Sequence, residues 1–281
     1  MHYGGAVLEA RDLTRSFGGL TAVRGVSFAV SPREIVALIG PNGAGKTTLF
    51  NLITGLLPPT AGEVFYRDRR ITGLPASRVA SLGMIRTFQH LVIFHETTVL
   101  ENVMVGCHRW TGAGLLPCAL GLPGAVREDR RVREAALEGL ALVGLEGRAH
   151  EPAPDLSFGQ QRLLEIARAL VARPSILLLD EPTAGLSGQE ARGLATLIRR
   201  LRNDGVTFVV IEHNMDVVME TADRVVVLDH GELIGHGTPQ AVQRDPRVVA
   251  AYLGEDPGTS TAVPTQSSAG VVGPALEGYP S

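Results

Sequence analysis

Cysteine and long apolar segments are both scarce in this chain of 281 residues. The two cysteines, Cys107 and Cys118, are too few for a disulfide framework and are typical of a reducing compartment. The most hydrophobic stretch, residues 112–126, is interrupted by glycine and proline and is too short to span a bilayer. Residues 1–11 contain no basic segment followed by an apolar one, so we expect no secretory signal. If the protein works at a membrane, another chain must anchor it.

An excess of charge of either sign is also missing. The formal net charge is −3, and no run of basic residues occurs. This composition argues against a nucleic acid as partner, so any recognition of phosphate must be local. The length allows one large α/β domain with an appended subdomain, or two modest domains. Residues 255–281 contain almost no large apolar side chains, and we expect this tail to be disordered.

A glycine-rich segment at residues 40–48 matches the phosphate-binding pattern G-x-x-x-x-G-K-[ST]. An apolar run that is short enough for a buried strand precedes it, and a helix-compatible run follows it. The alternative is a glycine-rich turn that matches by chance. The residues of the segment are Gly40, Pro41, Asn42, Gly43, Ala44, Gly45, Lys46, Thr47 and Thr48.

The residue types of this segment suit a nucleoside triphosphate. Glycines let backbone N–H groups turn towards a polyphosphate, and a helix that begins near Lys46 adds its positive dipole end. Lys46 supplies a mobile positive charge for the outer phosphates, and the Thr47 hydroxyl can bind Mg²⁺. The segment therefore predicts a site for ATP and Mg²⁺.

The periodicity along the chain predicts a parallel sheet covered by helices on both faces. Residues 7–13 and 22–30 resemble strands of a small antiparallel sheet, with a turn at 14–19, and a short strand pair near 63–66 precedes a polar loop to about residue 81. From residue 91 the spacing becomes helical, which predicts a helical subdomain insert at about 91–172. We expect a phosphate-loop α/β core over residues 1–254 that carries both subdomains.

Three polar groups follow buried strands further along the chain. Asp180 and Glu181 end the apolar run 176–179, and His213 comes shortly after the run 206–211. Ligand groups gather at the carboxyl ends of parallel strands, so we expect these side chains to meet the phosphate loop. Asp180 would help to hold Mg²⁺ and Glu181 would orient or deprotonate water. The Asp-Glu pair could instead cap a helix, and His213 could be structural.

Taken together, these motifs resemble the nucleotide-binding subunit of ABC transporters. The resemblance covers residues 7–254 and includes the phosphate loop, Gln89, the segment Leu156-Ser157-Phe158-Gly159-Gln160, residues 176–181 and His213, all in the order of that family. The Leu-Ser-x-Gly-Gln segment makes the resemblance specific, because unrelated phosphate-loop proteins lack it.

The resemblance implies a head-to-tail dimer with two ATP molecules between the subunits. Ser157, Gly159 and Gln160 of one subunit would complete the ATP site of the other. Gln89 would contact Mg²⁺ and the attacking water, and it would relay ATP occupancy to a membrane partner, while His213 would contact the γ-phosphate. The adenine-stacking aromatic of the family falls on Phe17, although from the sequence alone such an aromatic is more often a core residue than a platform for a base.

Within that family the chain is most similar to the ATPases of branched-chain amino acid importers. The segments at 17–23, 86–89, 98–103, 161–168 and 251–254 carry this similarity. Three residues depart from the general pattern: Phe158 replaces a glycine, Ser187 an aspartate and Arg33 a turn glycine. None of them removes a catalytic group.

The similarity implies integral-membrane permease subunits as partners, at the cytoplasmic face of the plasma membrane, and indirectly a periplasmic or extracellular solute-binding protein. A homodimer and a heterodimer with a sister ATPase are both open. Alternative functions are a lipopolysaccharide-export ATPase, an importer of amides or urea, and a soluble ABC ATPase that acts on ribosomes or DNA.

Overall fold

The computed structural model describes residues 5–89, 91–111 and 123–253. Its strands are β1 (Leu8–Phe17), β2 (Leu20–Val30), β3 (Ile35–Ile39), β4 (Ala61–Tyr66), β5 (Arg69–Arg70), β6 (Met84–Arg86), β7 (Ile176–Asp180), β8 (Thr207–Ile211), β9 (Arg224–Asp229) and β10 (Glu232–Gly237). Its α-helices are α1 (Lys46–Ile53), α2 (Ala76–Leu82), α3 (Val99–Met104), α4 (Pro123–Val143), α5 (Phe158–Val171), α6 (Gly188–Asn203), α7 (Met215–Thr221), α8 (Pro239–Gln243) and α9 (Pro246–Leu253). Short 3₁₀ helices cover Val105–Arg109, Glu146–Arg148 and Ala153–Asp155.

A six-stranded sheet in the order β10-β9-β3-β8-β7-β6 forms the centre of the fold. Strands β9, β3, β8, β7 and β6 are parallel, and β10 pairs antiparallel with β9 at one edge. Every residue of β3, β7 and β8 is buried, because helices or the second sheet cover both faces. The carboxyl ends of these strands lie at one edge, which therefore collects the segments that follow them.

A four-stranded antiparallel sheet in the order β2-β1-β4-β5 packs against one face of the central sheet. Helix α1 lies between the two sheets, with Leu49 and Phe50 fully buried. These side chains contact a cluster that includes Leu13 of β1 and Leu178 of β7. The helix that follows the phosphate loop is thus held by apolar contacts from both sides.

Helices α3, α4, α5 and α6 cover the opposite face of the central sheet. Leu100, Leu140 and Leu164 are buried there in one cluster with Phe208 of β8. A third cluster joins α7, α8 and α9 to the outer part of the sheet through Val218, Val242 and Val248. None of the helices in the described residues has the length and apolar character required to cross a bilayer.

The predicted fold class, an α/β phosphate-loop core with a small antiparallel sheet and helical additions, is confirmed. The turn predicted at residues 14–19 is wrong in extent. Strand β1 continues to Phe17 because Phe17 pairs with Leu20 across a two-residue turn. The polar loop predicted up to residue 81 contains β5 and α2, and helices α7, α8 and α9 were not predicted from the sequence. The limits of the helical subdomain at 91 and 172 stay a prediction, and the tail 255–281 lies outside the described residues.

Candidate functional site

The phosphate loop, residues 40–45, connects β3 to α1 with a backbone that only glycine allows at two positions. Gly40 has φ +146°, and a Cβ there would lie 2.0 Å from the carbonyl oxygen of Leu228. Gly45 has φ +96°, and its Cβ would lie 2.4 Å from the carbonyl oxygen of Ala22. Since these contacts are with backbone atoms of two other segments, they cannot give way cheaply. The loop is therefore held against both sheets in one conformation.

Helix α1 begins at Lys46 with its N-terminus directed into this loop. Gly45 at the N-cap offers no side chain to the first-turn N–H groups, and no acidic residue lies in the first turn. The residue Lys46 is 9% exposed. Its ammonium donates to the carbonyl oxygens of Gly40 at 2.5 Å and Pro41 at 2.8 Å. An uncapped helix N-terminus beside a lysine is an anion-binding arrangement. A triphosphate therefore fits the residues present.

The carboxylate of Asp180 ends β7 and is buried, at 3% exposure. Its Oδ2 accepts a hydrogen bond from Nη2 of Arg86 at 2.7 Å, and both side chains are almost fully enclosed. The second carboxylate oxygen of Asp180 and the hydroxyl of Thr47, an exposed residue, are hard oxygen donors of the kind that Mg²⁺ prefers. The donor set is therefore suited to that ion.

Glu181, Gln89 and His213 meet at the same edge of the sheet. Nε2 of Gln89 donates to Oε2 of Glu181 at 2.9 Å, and Nδ1 of His213 lies 3.7 Å from Oε1 of Glu181. Glu181 has φ +49°, a left-handed conformation that is uncommon for a residue with a side chain, and its N–H donates to the carbonyl oxygen of Ile211. This backbone turn directs the carboxylate to Gln89 and His213. A carboxylate, an amide and an imidazole in contact can together orient a water molecule.

The Leu156–Gln160 segment forms the start of helix α5. Ser157 is the N-cap, with its hydroxyl accepting from the N–H of Gln160 and Oε1 of Gln160 accepting from the N–H of Ser157. Arg148 also donates to Oε1 of Gln160. A Cβ at Gly159 would lie 2.4 Å from Oε1 of Glu190, so a larger residue would displace that carboxylate. The segment is thus held by its own capping box and by contacts with Arg148 and Glu190 of the same chain.

Phe17 lies at the end of β1 rather than on a turn, and 44% of its surface is exposed. The guanidinium carbon of Arg15 lies 4.7 Å from its ring centroid. The exposure excludes the simple core role that was the alternative for this residue.

A buried ion pair on α5, which the sequence analysis did not single out, clamps the backbone of residues 88–89. Arg162 donates to the carbonyl oxygens of Gln89 at 2.7 Å and Phe88 at 3.4 Å, and it pairs with Glu165 at 3.1 Å. Glu165 accepts in turn from the N–H of Phe88, and burial raises the pKa of this carboxyl although Arg162 opposes the shift. The i, i+3 spacing of opposite charges was the available signal.

Glu212 is a second functional candidate that the sequence analysis left without a role. It lies between β8 and His213, is 1% exposed, and accepts from the hydroxyl of Thr183 at 2.7 Å. Burial raises the pKa of this carboxyl, and the hydrogen bonds from Thr183 partly oppose the shift. The contact joins the loop after Glu181 to the segment that carries His213.

A family model described as "ABC transporter" matches residues 23–184, and one described as "Branched-chain amino acid ATP-binding cassette transporter" matches residues 232–257. The high-affinity branched-chain amino acid transport ATP-binding protein LivG of Escherichia coli K12 is 44% identical over 250 residues, which are 89% of this chain and 98% of that protein. BraF of Pseudomonas aeruginosa, of the same description, has the same identity and coverage. A probable LivG of Methanocaldococcus jannaschii is 34% identical over 254 residues, 89% of this chain and 98% of that protein.

Solved structures agree with these matches. A nucleotide-free ATP-binding cassette from an ABC transporter superposes with a TM-score of 0.77 at 33% identity, covering 89% of this chain and all of that one. A dimeric bacterial ABC transporter cassette superposes with a TM-score of 0.69 at 28% identity, covering 83% of this chain and 98% of that one. Since the family model, the relatives and the site geometry coincide, the chain belongs to the ABC transporter family, as one of its ATP-binding, ATP-hydrolysing proteins.

Proposed function

We propose that this protein powers the import of branched-chain amino acids by hydrolysing ATP at the cytoplasmic face of the membrane. The observation that carries the proposal is the 44% identity to LivG and BraF over nearly their whole length. The second family match, at residues 232–257, supports the same substrate class.

The phosphate loop and α1 bind the triphosphate in this proposal. The N–H groups of residues 40–48 and the positive end of α1 receive the phosphates, and Lys46 exchanges its contacts with the loop carbonyls for contacts with phosphate oxygens. Thr47, Asp180 and Gln89 would hold Mg²⁺, which neutralises charge that develops on the phosphates.

Glu181, Gln89 and His213 perform the hydrolytic step. Glu181 accepts a hydrogen bond from the attacking water, and Gln89 fixes the orientation of that carboxylate through their 2.9 Å contact. His213, beside Glu181, contacts the γ-phosphate. Phe17 stacks on the adenine, for which its exposed ring is accessible.

A second cassette completes each site by contributing Ser157, Gly159 and Gln160. The capping box gives the N-terminus of α5 a defined direction, and a helix N-terminus is a favourable position for a γ-phosphate. The partner is a second copy of this chain or a sister ATPase.

The permease subunits dock, in this proposal, at an apolar groove beside Gln89. The groove has a volume of about 550 Å³ and lies between residues 77–88, Val92, Phe94, the 3₁₀ helix Val105–Arg109 and helix α5. Phe88, Val92, Phe94 and Val105 line it, and each of these side chains is more than 40% exposed. Exposed apolar side chains around one groove indicate an interaction surface. Because Phe88 is adjacent to Gln89, docking there would reach the hydrolytic cluster directly.

The test is reconstitution of the chain with its permease subunits and solute-binding protein in liposomes. We expect uptake of leucine, isoleucine and valine that depends on ATP inside the liposomes, and little uptake of urea or acetamide. Glu181→Gln should lower ATP hydrolysis by about 10²–10⁴-fold, the contribution of a general base, while ATP still binds. The matched control is Glu232→Gln, which removes an exposed ion pair with Arg24 and should leave turnover unchanged. Uptake of amides in place of amino acids would contradict the substrate class, and normal turnover by Glu181→Gln would contradict the role of that residue.

A further inference from the structure

Arg86 bridges two elements of the site, although no role has been assigned to it beyond its place in the segment 86–89. It is the last residue of β6, and its side chain is 7% exposed. Nη2 donates to Oδ2 of Asp180 at 2.7 Å, and Nη1 donates to Oδ1 of Asn51 at 2.6 Å. One guanidinium thus bridges the end of β7 and helix α1.

The register of the sheet explains how Arg86 reaches Asp180. Arg86 lies opposite Leu178 in the parallel pair β6–β7. Alternate residues of a strand share a face, so Leu178 and Asp180 both face α1, on the same side as Arg86. A long side chain at Arg86 can therefore reach from the level of Leu178 to Asp180, two residues further towards the carboxyl end of β7.

The second contact of Arg86 concerns the other proposed metal ligand. Asn51 and Thr47 are four residues apart on α1 and so lie on the same helix face, one turn apart. Arg86 therefore connects the helix that carries the Thr47 hydroxyl to the strand that carries the Asp180 carboxylate. The two oxygen groups come from different elements, and the bridge restrains their separation.

The surroundings of Arg86 fit a fixed bridge. Its guanidinium carbon lies 5.4 Å from the ring centroid of Phe50, which is fully buried in α1. It also lies 5.2 Å from the ring centroid of Phe88, in the apolar groove. Arginine suits such a place because its planar fork donates in two directions while its faces contact aromatic rings.

We propose that Arg86 is a positioning residue for the Mg²⁺–nucleotide site, which sets the separation of Thr47 and Asp180 by bridging Asn51 to Asp180. The inference rests on the proposed ATP and Mg²⁺ site. Arg86 orients Asp180 by holding Oδ2 of its carboxylate, and Oδ1 is the oxygen that would bind the ion.

Equilibrium binding of the fluorescent analogue TNP-ATP to the full chain, with Mg²⁺ and with EDTA, tests the proposal without relying on hydrolysis. Arg86→Met should weaken binding in Mg²⁺ by about tenfold, the lower end of effects seen for residues that orient metal ligands. Binding in EDTA should change by less than about twofold, because Lys46 and the loop are untouched. At saturating TNP-ATP, the Mg²⁺ concentration for half-maximal signal should rise by a similar factor.

Two further variants keep the test independent of a folding defect in Arg86→Met. Arg86→Lys keeps the charge but lacks the fork and should give an intermediate loss. Asn51→Leu breaks the bridge and leaves the ion pair, so it should also weaken binding only in Mg²⁺, and it should add little in a double variant with Arg86→Met. Arg224→Met is the matched control, because it also removes an arginine from an ion pair, in this case with Glu34. Arg224 lies at the amino end of β9, whereas the site lies at the carboxyl ends of the strands.

The outcomes separate the two proposals. A wild-type chain whose TNP-ATP binding does not respond to Mg²⁺ would overturn the proposed metal site and this inference together. A responsive wild type with equal losses in Mg²⁺ and EDTA, or with no loss, overturns the role of Arg86 alone. Tighter Mg²⁺ binding in Arg86→Met also overturns it, since Arg86 would then only compete for Asp180.

Discussion

Replacing Arg162 by methionine should destabilise the fold by an amount that depends on pH. Arg162 is 4% exposed, and its partner Glu165 is 6% exposed. Removing one member of a buried ion pair leaves an uncompensated charge, which costs about 3–5 kcal/mol. Arg162→Met also removes hydrogen bonds to the carbonyl oxygens of Phe88 and Gln89, each worth about 1 kcal/mol. Arg168 also acts favourably on the charged form of Glu165, so we expect the lower end of the range, about 3–4 kcal/mol, for the broken ion pair and about 5–6 kcal/mol in all near neutral pH.

The pH dependence follows from the direction of the pKa shift of Glu165. Burial raises this pKa above its ordinary value, while Arg162, Arg168 and the N–H of Phe88 lower it. Without Arg162 the pKa rises further, so the folded variant retains a proton that the unfolded chain releases. Stability that is present below the pKa of the unfolded chain is then lost as pH rises through the pKa of the folded state. At a pH near the ordinary pKa of a glutamate side chain, Glu165 is protonated in the variant. The cost of Arg162→Met should therefore shrink there to about 1–3 kcal/mol, which is the loss of the hydrogen bonds.

Urea unfolding of wild type and variant at about pH 5 and at about pH 7.5 measures both costs, each relative to wild type at the same pH. The double variant Arg162→Met with Glu165→Gln is the control, because neither of the two substituted positions then carries a charge. It should be more stable than the single variant near neutral pH and should lack the pH dependence. Equal losses of stability by the single variant at both pH values would refute the proposed cost of the uncompensated Glu165 charge. A double variant that is no more stable than the single one near neutral pH would refute it as well.

Three further predictions concern the phosphate loop, the core and the apolar groove. Gly40→Ala should cost more than the 1–3 kcal/mol of an unfavourable backbone conformation, since its Cβ would also overlap the carbonyl oxygen of Leu228, and it should abolish TNP-ATP binding. Gly43→Ala is the matched control, because its Cβ would meet nothing within 4 Å and only the conformational cost applies. Equal losses of stability for the two variants in urea unfolding would contradict the steric argument. Phe208→Ala in β8 should lose about 3–5 kcal/mol in the same assay, because the side chain is fully buried. Phe94→Ala should change stability little but reduce co-purification with the permease subunits; unchanged co-purification would argue against the groove as their docking surface.

The motifs of this chain could be recognised in the sequence because their chemistry depends on local spacing. A phosphate loop needs its glycines, Lys46 and Thr47 within one short, fixed sequence pattern. The strand that precedes Glu181 can be recognised as buried because its residues before Asp180 are all apolar. The parallel arrangement then required that these segments share one edge. Glu181 and His213 were therefore expected to lie together, whereas Gln89 was expected beside them only from the family resemblance; the structure gives the distances between the three side chains.

Secondary structure was harder to predict where it depends on distant partners. Phe17 belongs to a strand because Leu20 pairs with it, and β5 exists because Arg69 and Arg70 pair with β4. Helix α7 is short, and Asn214 caps it by accepting from the N–H groups of Asp216 and Val217. Such a short helix shows little apolar periodicity, so its cap was the only local signal.

The sequence alone thus indicates the residues that we propose to cradle a triphosphate and activate water, because these roles depend on side-chain chemistry and on short-range backbone geometry. Only the tertiary structure decided what holds those residues in place: the bridge from Arg86 to Asn51 and Asp180, and the clamp of Arg162 and Glu165 on residues 88–89. The clamp joins α5 to a segment more than 70 residues away, and the bridge spans 35 and 94 residues. Separations of this size leave no periodic signal, because strand register and helix packing set them after the chain has folded.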